Sequence, residues 1–149
     1  GTTFTLFFPR SDQHIRSARR ERQQQVPRGS EHILVIEDEA SVREIARDML
    51  SDLGYTILVA PDGIIGVETY RSRQGSIDLI ILDMNMPLMG GREAYEQLKK
   101  INPAVRIIIL TGYGKGIIEP SSFPGEVNGF LQKPFHLEKL SGKIREMLD

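Results

Sequence analysis

The stretch "IILDMNMP", residues 80–87, is an apolar run that ends in one carboxylate and a proline. Three aliphatic residues precede Asp83, and Pro87 turns the chain a few residues later. A short continuous apolar run bounded by turn residues is typical of a strand buried in a parallel sheet. The stretch therefore predicts a strand that carries Asp83 to one edge of a sheet.

Similar runs recur along residues 31–149 and alternate with segments of helical periodicity. The strand-like runs are HILVIEDE, YTILVA, IDLIILDMNMP, VRIIILTGY and GFLQKPF. The first helical segment places Val42, Ile45, Met49, Leu50 and Leu53 on one face and stops at Gly54, and the last places Leu137, Leu140, Ile144 and Leu148 on one face. Such alternation predicts a doubly wound α/β fold, with a five-stranded parallel sheet covered by helices on both sides.

One helix of this pattern should be short or irregular. The segment between the fourth and fifth strand-like runs contains Pro120 and Pro124, and each proline removes a backbone donor and restricts the residue before it. We expect at most a single short turn near 115–119. The remainder is expected to be a loop attached through Ile117, Ile118 or Phe123.

Length and charge predict one domain with upstream appendages. The chain has 149 residues, 40% of them hydrophobic, which suffices for one well-buried core. Residues 1–30 carry six arginines against two acids, so residues 10–30 are expected to be a basic linker, and the domain is expected to span 31–149. The chain lacks cysteine, which excludes disulfides and thiolate metal sites.

Polar residues follow four of the five strand-like runs, at the edge where parallel strands end. They are Glu37, Asp38, Asp83, Thr111 and Lys133. Carboxylates that converge in a crevice repel one another unless a cation neutralises them, and a few oxygen ligands suit Mg²⁺. A metal, a lysine and a hydroxyl around one carboxylate indicate a phosphoryl acceptor site with Asp83 as the nucleophile.

At these residues the chain resembles the receiver domain of two-component response regulators. The segments "VIEDE", "LDMNMP", "TGY" and "KPF" occur in the order and spacing of that family, with 22 positions from Thr111 to Lys133. The resemblance implies a flavodoxin-like receiver fold in which Asp83 takes a phosphoryl group from a phosphohistidine. It implies that Asp38, Asp83 and the backbone carbonyl of Asn85 bind Mg²⁺ and that Glu37 acts largely through water.

The same resemblance implies roles for three residues on the later strands. Lys133 is expected to pair with the acids and then with the phosphoryl group, while Thr111 moves toward the phosphate. Phe130 occupies the position of the family's switch aromatic residue. The Lys133–Pro134 peptide bond is expected to be cis.

The first nine residues, "GTTFTLFFP", resemble the last strand of a histidine kinase ATP-binding domain. Followed by a linker and a receiver, this remnant implies the C-terminal part of a hybrid histidine kinase. The fragment itself has no kinase active site, and we expect at most self-catalysed phosphoryl transfer and autodephosphorylation. The implied partner is a histidine kinase phosphoacceptor domain or a histidine phosphotransfer protein. We expect a cytoplasmic monomer, whether or not the parent is anchored in a membrane, and no contact with nucleic acid or membrane.

Other classes of function remain alternatives. A stand-alone response regulator would carry the same site residues. A Mg²⁺-dependent phosphatase-like hydrolase is less favoured, because related phosphatases place a proton-donating acid two residues after the nucleophile, where this chain has Asn85. An interaction module that works without phosphorylation is disfavoured because the acids, the hydroxyl and the lysine are all present.

Overall fold

A single parallel sheet forms the centre of the protein. The computed structural model describes residues 26–112, 123, 127 and 129–149. The strands are β1 (His32–Ile36), β2 (Thr56–Ala60), β3 (Leu79–Asp83), β4 (Ile107–Thr111) and β5 (Gly129–Gln132), arranged in the order β2-β1-β3-β4-β5. The described helices are α1 (Ala40–Asp52), α2 (Gly63–Ser72), α3 (Gly91–Ile101) and α4 (Leu137–Leu148). The predicted doubly wound α/β fold is confirmed.

The helices cover both faces of the sheet and create two hydrophobic layers. All five residues of β3 are buried, and successive side chains point to opposite faces. Ile80 and Leu82 pack into the layer under α2 and α3, whereas Leu79 and Ile81 pack into the layer under α1 and α4. The strand is therefore packed on both faces, which fixes the position of Asp83 at its carboxyl end.

The apolar face predicted for α1 is only partly buried. Leu50 and Leu53 are buried together with Ala46, but Ile45 is 57% exposed. Val42 and Met49 are only partly buried. Successive residues on a helix are separated by about 100°, so the apolar face of α1 consists of two neighbouring stripes. The buried stripe, which faces the sheet, is Ala46, Leu50 and Leu53, and the exposed stripe is Val42, Ile45 and Met49.

The prediction for α4 is confirmed. Leu140 and Ile144 are fully buried. Leu137 and Leu148, one turn further toward each end, are partly buried and pack against the same layer. The helix therefore lies on the sheet along the predicted stripe.

The segment Val26–Glu31, termed here the entry segment, packs against the domain before β1 begins. Val26 is only 6% exposed and lies in the layer under α1 and α4. The Ser141 hydroxyl of α4 donates a hydrogen bond to the Pro27 carbonyl at 2.6 Å. The Gly29 N–H donates to the Leu53 carbonyl at 3.2 Å.

An ion pair fastens the end of the entry segment to α4. The Arg145 guanidinium binds the Glu31 carboxylate and lies 5.7 Å from the centre of the Tyr55 ring. The hydrogen bond from Arg145 lowers the pKa of Glu31. Predicted boundaries at residues 9 and 30 remain predictions, and residues 1–25 lie outside the described part of the chain.

Phe123 is the one residue expected to attach the proline-containing segment that the structure describes. It is 6% exposed, and its ring lies edge-on to Tyr95 with the centroids 5.0 Å apart. The attachment through Phe123 is confirmed. The predicted turn near 115–119, and Ile117 and Ile118, lie outside the described residues.

No helix in the described ranges is long and apolar enough to cross a bilayer.

Candidate functional site

Three carboxylates meet where β1 and β3 end. Glu37 and Asp38 directly follow β1, and Asp83 is the last residue of β3. One carboxylate oxygen from each of the three lies within 4.8 Å of the others. Glu37 and Asp83 are 1% and 2% exposed, whereas Asp38 is exposed. The strand ends thus bring together the three acids that the sequence placed at this edge.

Backbone hydrogen bonds continue past the strand ends and fix the buried acids. The Glu37 N–H donates to the Ala60 carbonyl at 3.1 Å, and the Met84 N–H donates to the Leu110 carbonyl at 3.2 Å. These bonds tie β1 to β2 and β3 to β4 at the level of the acids. The carboxylates therefore project from rigid backbone.

Lys133 reaches into the acid cluster from the end of β5. Its Nζ lies 2.6 Å from Glu37 Oε2 and 3.0 Å from Asp83 Oδ1. Its backbone N–H donates to the Thr111 carbonyl at 2.8 Å, and the Lys133–Pro134 bond is cis, as predicted. The ammonium group therefore bridges the two buried carboxylates.

Burial and the neighbouring charges shift the pKa values of Glu37 and Lys133. Burial raises the pKa of Glu37, Lys133 partly offsets that effect, and Asp83 adds to it. Burial alone would lower the pKa of Lys133, but its hydrogen bonds with Glu37 and Asp83 outweigh burial and raise it. The ammonium group of Lys133 is thus stabilised by the two carboxylates that it contacts.

The remaining predicted site residues lie on β4, on β5 and in the loop after β3. Thr111 ends β4 and is partly buried. Asn85 is exposed in the loop after β3. Phe130 on β5 is partly buried, with its ring centroid 6.0 Å from that of Phe123.

Gly91 lets α3 begin directly beneath the Asp83 backbone. A Cβ atom at this position would lie 2.3 Å from the Asp83 carbonyl oxygen and 2.6 Å from the Met84 Cα. The Gly91 N–H donates to the Met84 carbonyl at 3.2 Å. The absence of a side chain therefore permits the close approach that holds the end of β3.

The donor set of the cluster fits a divalent cation. Glu37 Oε2 and Asp83 Oδ1 are buried. Among the described residues, Lys133 is the only group that can donate a hydrogen bond to them. Three carboxylates against one ammonium group leave an excess of negative charge. Few ligands, all of them oxygen, match the preference of Mg²⁺. The residues present thus fit the predicted metal.

An apolar groove of about 470 Å³ adjoins Lys133. One wall is the exposed stripe of α1, and the other is the chain that follows β5. The lining residues are Glu39, Val42, Ile45, Met49, Lys133, Pro134 and Phe135. The sequence did not predict this groove, because periodicity identifies the apolar face of α1 but not which part of that face packs on the sheet.

Arg43 is a further residue of the site that the sequence analysis missed. Its Nη1 donates to the backbone carbonyls of Glu37 at 2.6 Å and of Asp38 at 3.1 Å. A signal was available in the sequence, because Arg43 follows the acid pair closely and lies in the first turn of the predicted helix. A cation is unfavourable at that end of a helix.

Comparisons with known proteins agree with this geometry. The sensor kinase CckA of Brucella abortus (strain 2308) is 32% identical over 158 residues, a match that covers 100% of this chain and 17% of the kinase. The response regulator MprA of Mycobacterium ulcerans (strain Agy99) is 34% identical over 119 residues, covering 80% of this chain and 50% of the regulator. The chain thus spans half or less of these relatives.

A solved structure and a family description point the same way. The crystal structure of the receiver domain from the hybrid histidine kinase CckA has a TM-score of 0.66 and 28% identity, covering 79% of this chain and 99% of that domain. Residues 33–145 match the family described as the response regulator receiver domain. The chain therefore belongs to the receiver domain family of two-component systems.

Proposed function

We propose that Asp83 accepts a phosphoryl group from a phosphohistidine and that the domain acts as a phosphorylation switch. The observation that carries the proposal is the position of Asp83, which is buried beside two further acids and in contact with Lys133. Its carboxylate is at the end of a strand held on both sides, so it needs little reorganisation to face a donor. Membership in the receiver family supports the same role.

The transfer would exchange one bond for another. A carboxylate oxygen of Asp83 attacks phosphorus, the P–O bond forms, and the P–N bond to the donor imidazole breaks. The electron pair of the broken bond stays on the imidazole nitrogen, which takes up a proton. Lys133 would then exchange a carboxylate partner for a phosphoryl oxygen, and Thr111 would donate its hydroxyl to another.

Mg²⁺ is the proposed cofactor, and it would supply positive charge for the phosphoryl oxygens when bound. Asp38, Asp83 and the Asn85 backbone carbonyl would hold it directly, with Glu37 acting through water. The buried carboxylate oxygens that lack a second donor support this assignment. The exposed position of Asp38 would leave the metal open to the donor.

The groove beside Lys133 suits a phosphodonor protein. Its lining is mainly aliphatic and aromatic, and Ile45 exposes 57% of its surface there. An amphipathic helix that carried the phosphohistidine could place apolar residues in the groove while the imidazole faced Asp83. The proposed partner is therefore a histidine kinase phosphoacceptor domain or a histidine phosphotransfer protein.

We place the receiver in a hybrid histidine kinase. The match to the sensor kinase CckA covers the whole chain, including the residues before the domain, whereas the match to MprA covers 80% of it. A stand-alone response regulator is the alternative origin. Cytoplasmic location and a monomeric state remain proposals of the same kind.

The test is phosphorylation by a small-molecule phosphodonor. The protein is incubated with acetyl phosphate, with or without Mg²⁺, and its intact mass is measured. We expect one phosphoryl group per chain with Mg²⁺, little uptake without it, and none in Asp83→Ala. Asp78→Ala is the control, because Asp78 lies before β3 at the opposite edge and should not affect uptake. Labelling of Asp83→Ala at the wild-type level would refute the proposal.

A further inference from the structure

Arg43, at the β1–α1 junction, occupies a position where it does not stabilise α1. Arg43 lies in the first turn of α1, where the helix dipole disfavours a cation. Its usual ion-pair partner would be Glu39, four residues earlier. Glu39 instead accepts a hydrogen bond from the Ser41 hydroxyl at 2.7 Å. A residue that breaks a local rule in this way commonly serves a site rather than the stability of its element.

Arg43 bonds to the backbone of the acid pair and not to the carboxylates. Its Nη1 donates to the Glu37 carbonyl at 2.6 Å and to the Asp38 carbonyl at 3.1 Å. Each peptide group is planar, so a carbonyl held in place also fixes the N–H of the next residue. The guanidinium therefore sets the orientation of two successive peptide planes, 37–38 and 38–39.

The second of these planes is coupled to a side chain of the site. The Glu39 N–H belongs to the same peptide plane as the Asp38 carbonyl, and it donates to Glu37 Oε1 at 3.3 Å. The other oxygen of that carboxylate faces Lys133 at 2.6 Å. Arg43 thus controls one of the two contacts that orient Glu37.

We infer that Arg43 is a positioning residue, which holds the β1–α1 junction so that Glu37 and Asp38 form a preorganised ligand set for a divalent cation. The inference rests on the proposed function in that the cation is the Mg²⁺ proposed above. Residues that orient ligands from behind commonly contribute about 10–100-fold to metal affinity. Without Arg43 the two peptide planes can rotate, and the cation must order them when it binds.

The experiment measures Mg²⁺ binding to the unphosphorylated protein by isothermal titration calorimetry. The variants are Arg43→Ala, Arg43→Lys and the control Arg47→Ala. Arg47 lies one turn further along α1, and its side chain is 46% exposed beside Asp48. We expect Arg43→Ala to bind Mg²⁺ about tenfold more weakly, Arg43→Lys to recover part of the loss, and Arg47→Ala to bind as the wild type does.

A second measurement separates positioning from a purely structural role. Urea unfolding in the absence of metal reports stability, and the Mg²⁺ dependence of acetyl phosphate labelling reports the site. A positioning role predicts that Arg43→Ala needs about tenfold more Mg²⁺ for half-maximal labelling but reaches a similar rate at saturation. If Arg43→Ala does not fold, Arg43→Lys is judged by the same two measurements.

The outcomes distinguish this inference from the proposed function. If the wild type neither binds Mg²⁺ nor takes up a phosphoryl group, the proposed function fails. If the wild type does both and the Arg43 variants keep its Mg²⁺ affinity, or Arg47→Ala loses as much affinity, the positioning role alone is overturned.

Discussion

Gly91 links the packing of one residue to the geometry of the proposed phosphorylation site. The two nearest atoms that a Cβ would meet are the Asp83 carbonyl oxygen and the Met84 Cα, both of them backbone, and the Met84 Sδ follows at 2.9 Å. Backbone atoms cannot turn away as the end of a flexible side chain can. A methyl group at position 91 must therefore displace either the start of α3 or the end of β3.

We predict that Gly91→Ala lowers the free energy of unfolding by about 1–3 kcal/mol, the usual cost of overpacking. It should also slow phosphoryl uptake, because Asp83 belongs to the displaced backbone. Urea unfolding and acetyl phosphate labelling measure the two effects.

Gly90→Ala is the matched control for this prediction. Nothing lies within 4 Å of a Cβ at position 90, and its φ of −67° suits alanine. Gly90 is the N-cap of α3, where alanine is somewhat less favourable than glycine, so we expect a loss of less than about 1 kcal/mol and labelling at the wild-type rate. A Gly91→Ala protein as stable and as readily labelled as Gly90→Ala would contradict the packing argument.

Helix α1 divides its apolar residues between the core and the groove beside Lys133. Ala46 and Leu50 face the sheet, while Val42, Ile45 and Met49 line the groove. An exposed aliphatic stripe contributes nothing to the core and becomes useful once a partner covers it. The element therefore serves both the fold and the proposed docking of a donor.

We predict that Ile45→Ser slows phosphoryl transfer from a phosphohistidine donor protein but leaves labelling by acetyl phosphate unchanged. Burial of part of an isoleucine side chain is worth about 1 kcal/mol, so the expected loss is roughly fivefold. Transfer from a phosphorylated histidine phosphotransfer protein, followed by gel electrophoresis, measures it.

Ile64→Ser on α2 is the control for the groove. Ile64 is 48% exposed, similar to Ile45, but α2 covers the opposite face of the sheet. We expect transfer to this variant at the wild-type rate. Equal losses in both variants would show that exposed isoleucines matter only for solubility or folding, and not for docking in the groove.

The sequence periodicity predicts that α1 is a helix, but it does not predict which of its apolar residues are buried. Periodicity identified the helix, and the polar residues after the strands identified the acids, because both signals are local in sequence. It could not separate Ile45 from Leu50, since their burial depends on where the sheet lies beneath the helix. For Arg43 the sequence offers only the unfavourable placement of a cation in the first turn of a helix, and it does not identify the partners, because these are backbone carbonyls.

At the other end of the molecule, the entry segment joins the start of the domain to its last helix. Val26 is buried, and Arg145 on α4 binds Glu31 beside the Tyr55 ring. The sequence showed Val26 only as an aliphatic residue in a polar stretch. The bonds from the entry segment to α4, Ser141 to Pro27 and Arg145 to Glu31, join residues more than 100 positions apart, so only the folded chain reveals them.

This ion pair predicts a specific dependence of stability on pH. The pKa of Glu31 in the folded protein lies below its ordinary value of 4.5 because of the Arg145 hydrogen bond. The stabilisation is therefore fully present above pH 4.5 and is lost as pH falls through the folded pKa. Glu31→Gln should lower the free energy of unfolding by about 1 kcal/mol at pH 7, and the difference from the wild type should shrink toward zero in acid.

Urea unfolding of the two proteins from pH 7 down to acid measures the difference. Glu146→Gln is the control, since Glu146 pairs with Lys143 at 2.9 Å but is 65% exposed. Exposed pairs contribute little, so that variant should stay within about 0.5 kcal/mol of the wild type. A loss in Glu31→Gln that did not vary with pH would indicate lost packing instead of a lost charge.

The entry segment also determines where the residues before Val26 are attached to the domain. It lies beside the amino ends of the strands, whereas Asp83 lies at their carboxyl ends, so the entry segment and the proposed phosphorylation site are at opposite ends of the sheet. A strand of five residues separates the two ends by about 17 Å. The 25 residues before Val26 can span at most about 80–90 Å when extended. A donor on the same polypeptide, as proposed for a hybrid kinase, would have to pass around the outside of the domain to reach Asp83, and it would compete there with donors on other molecules.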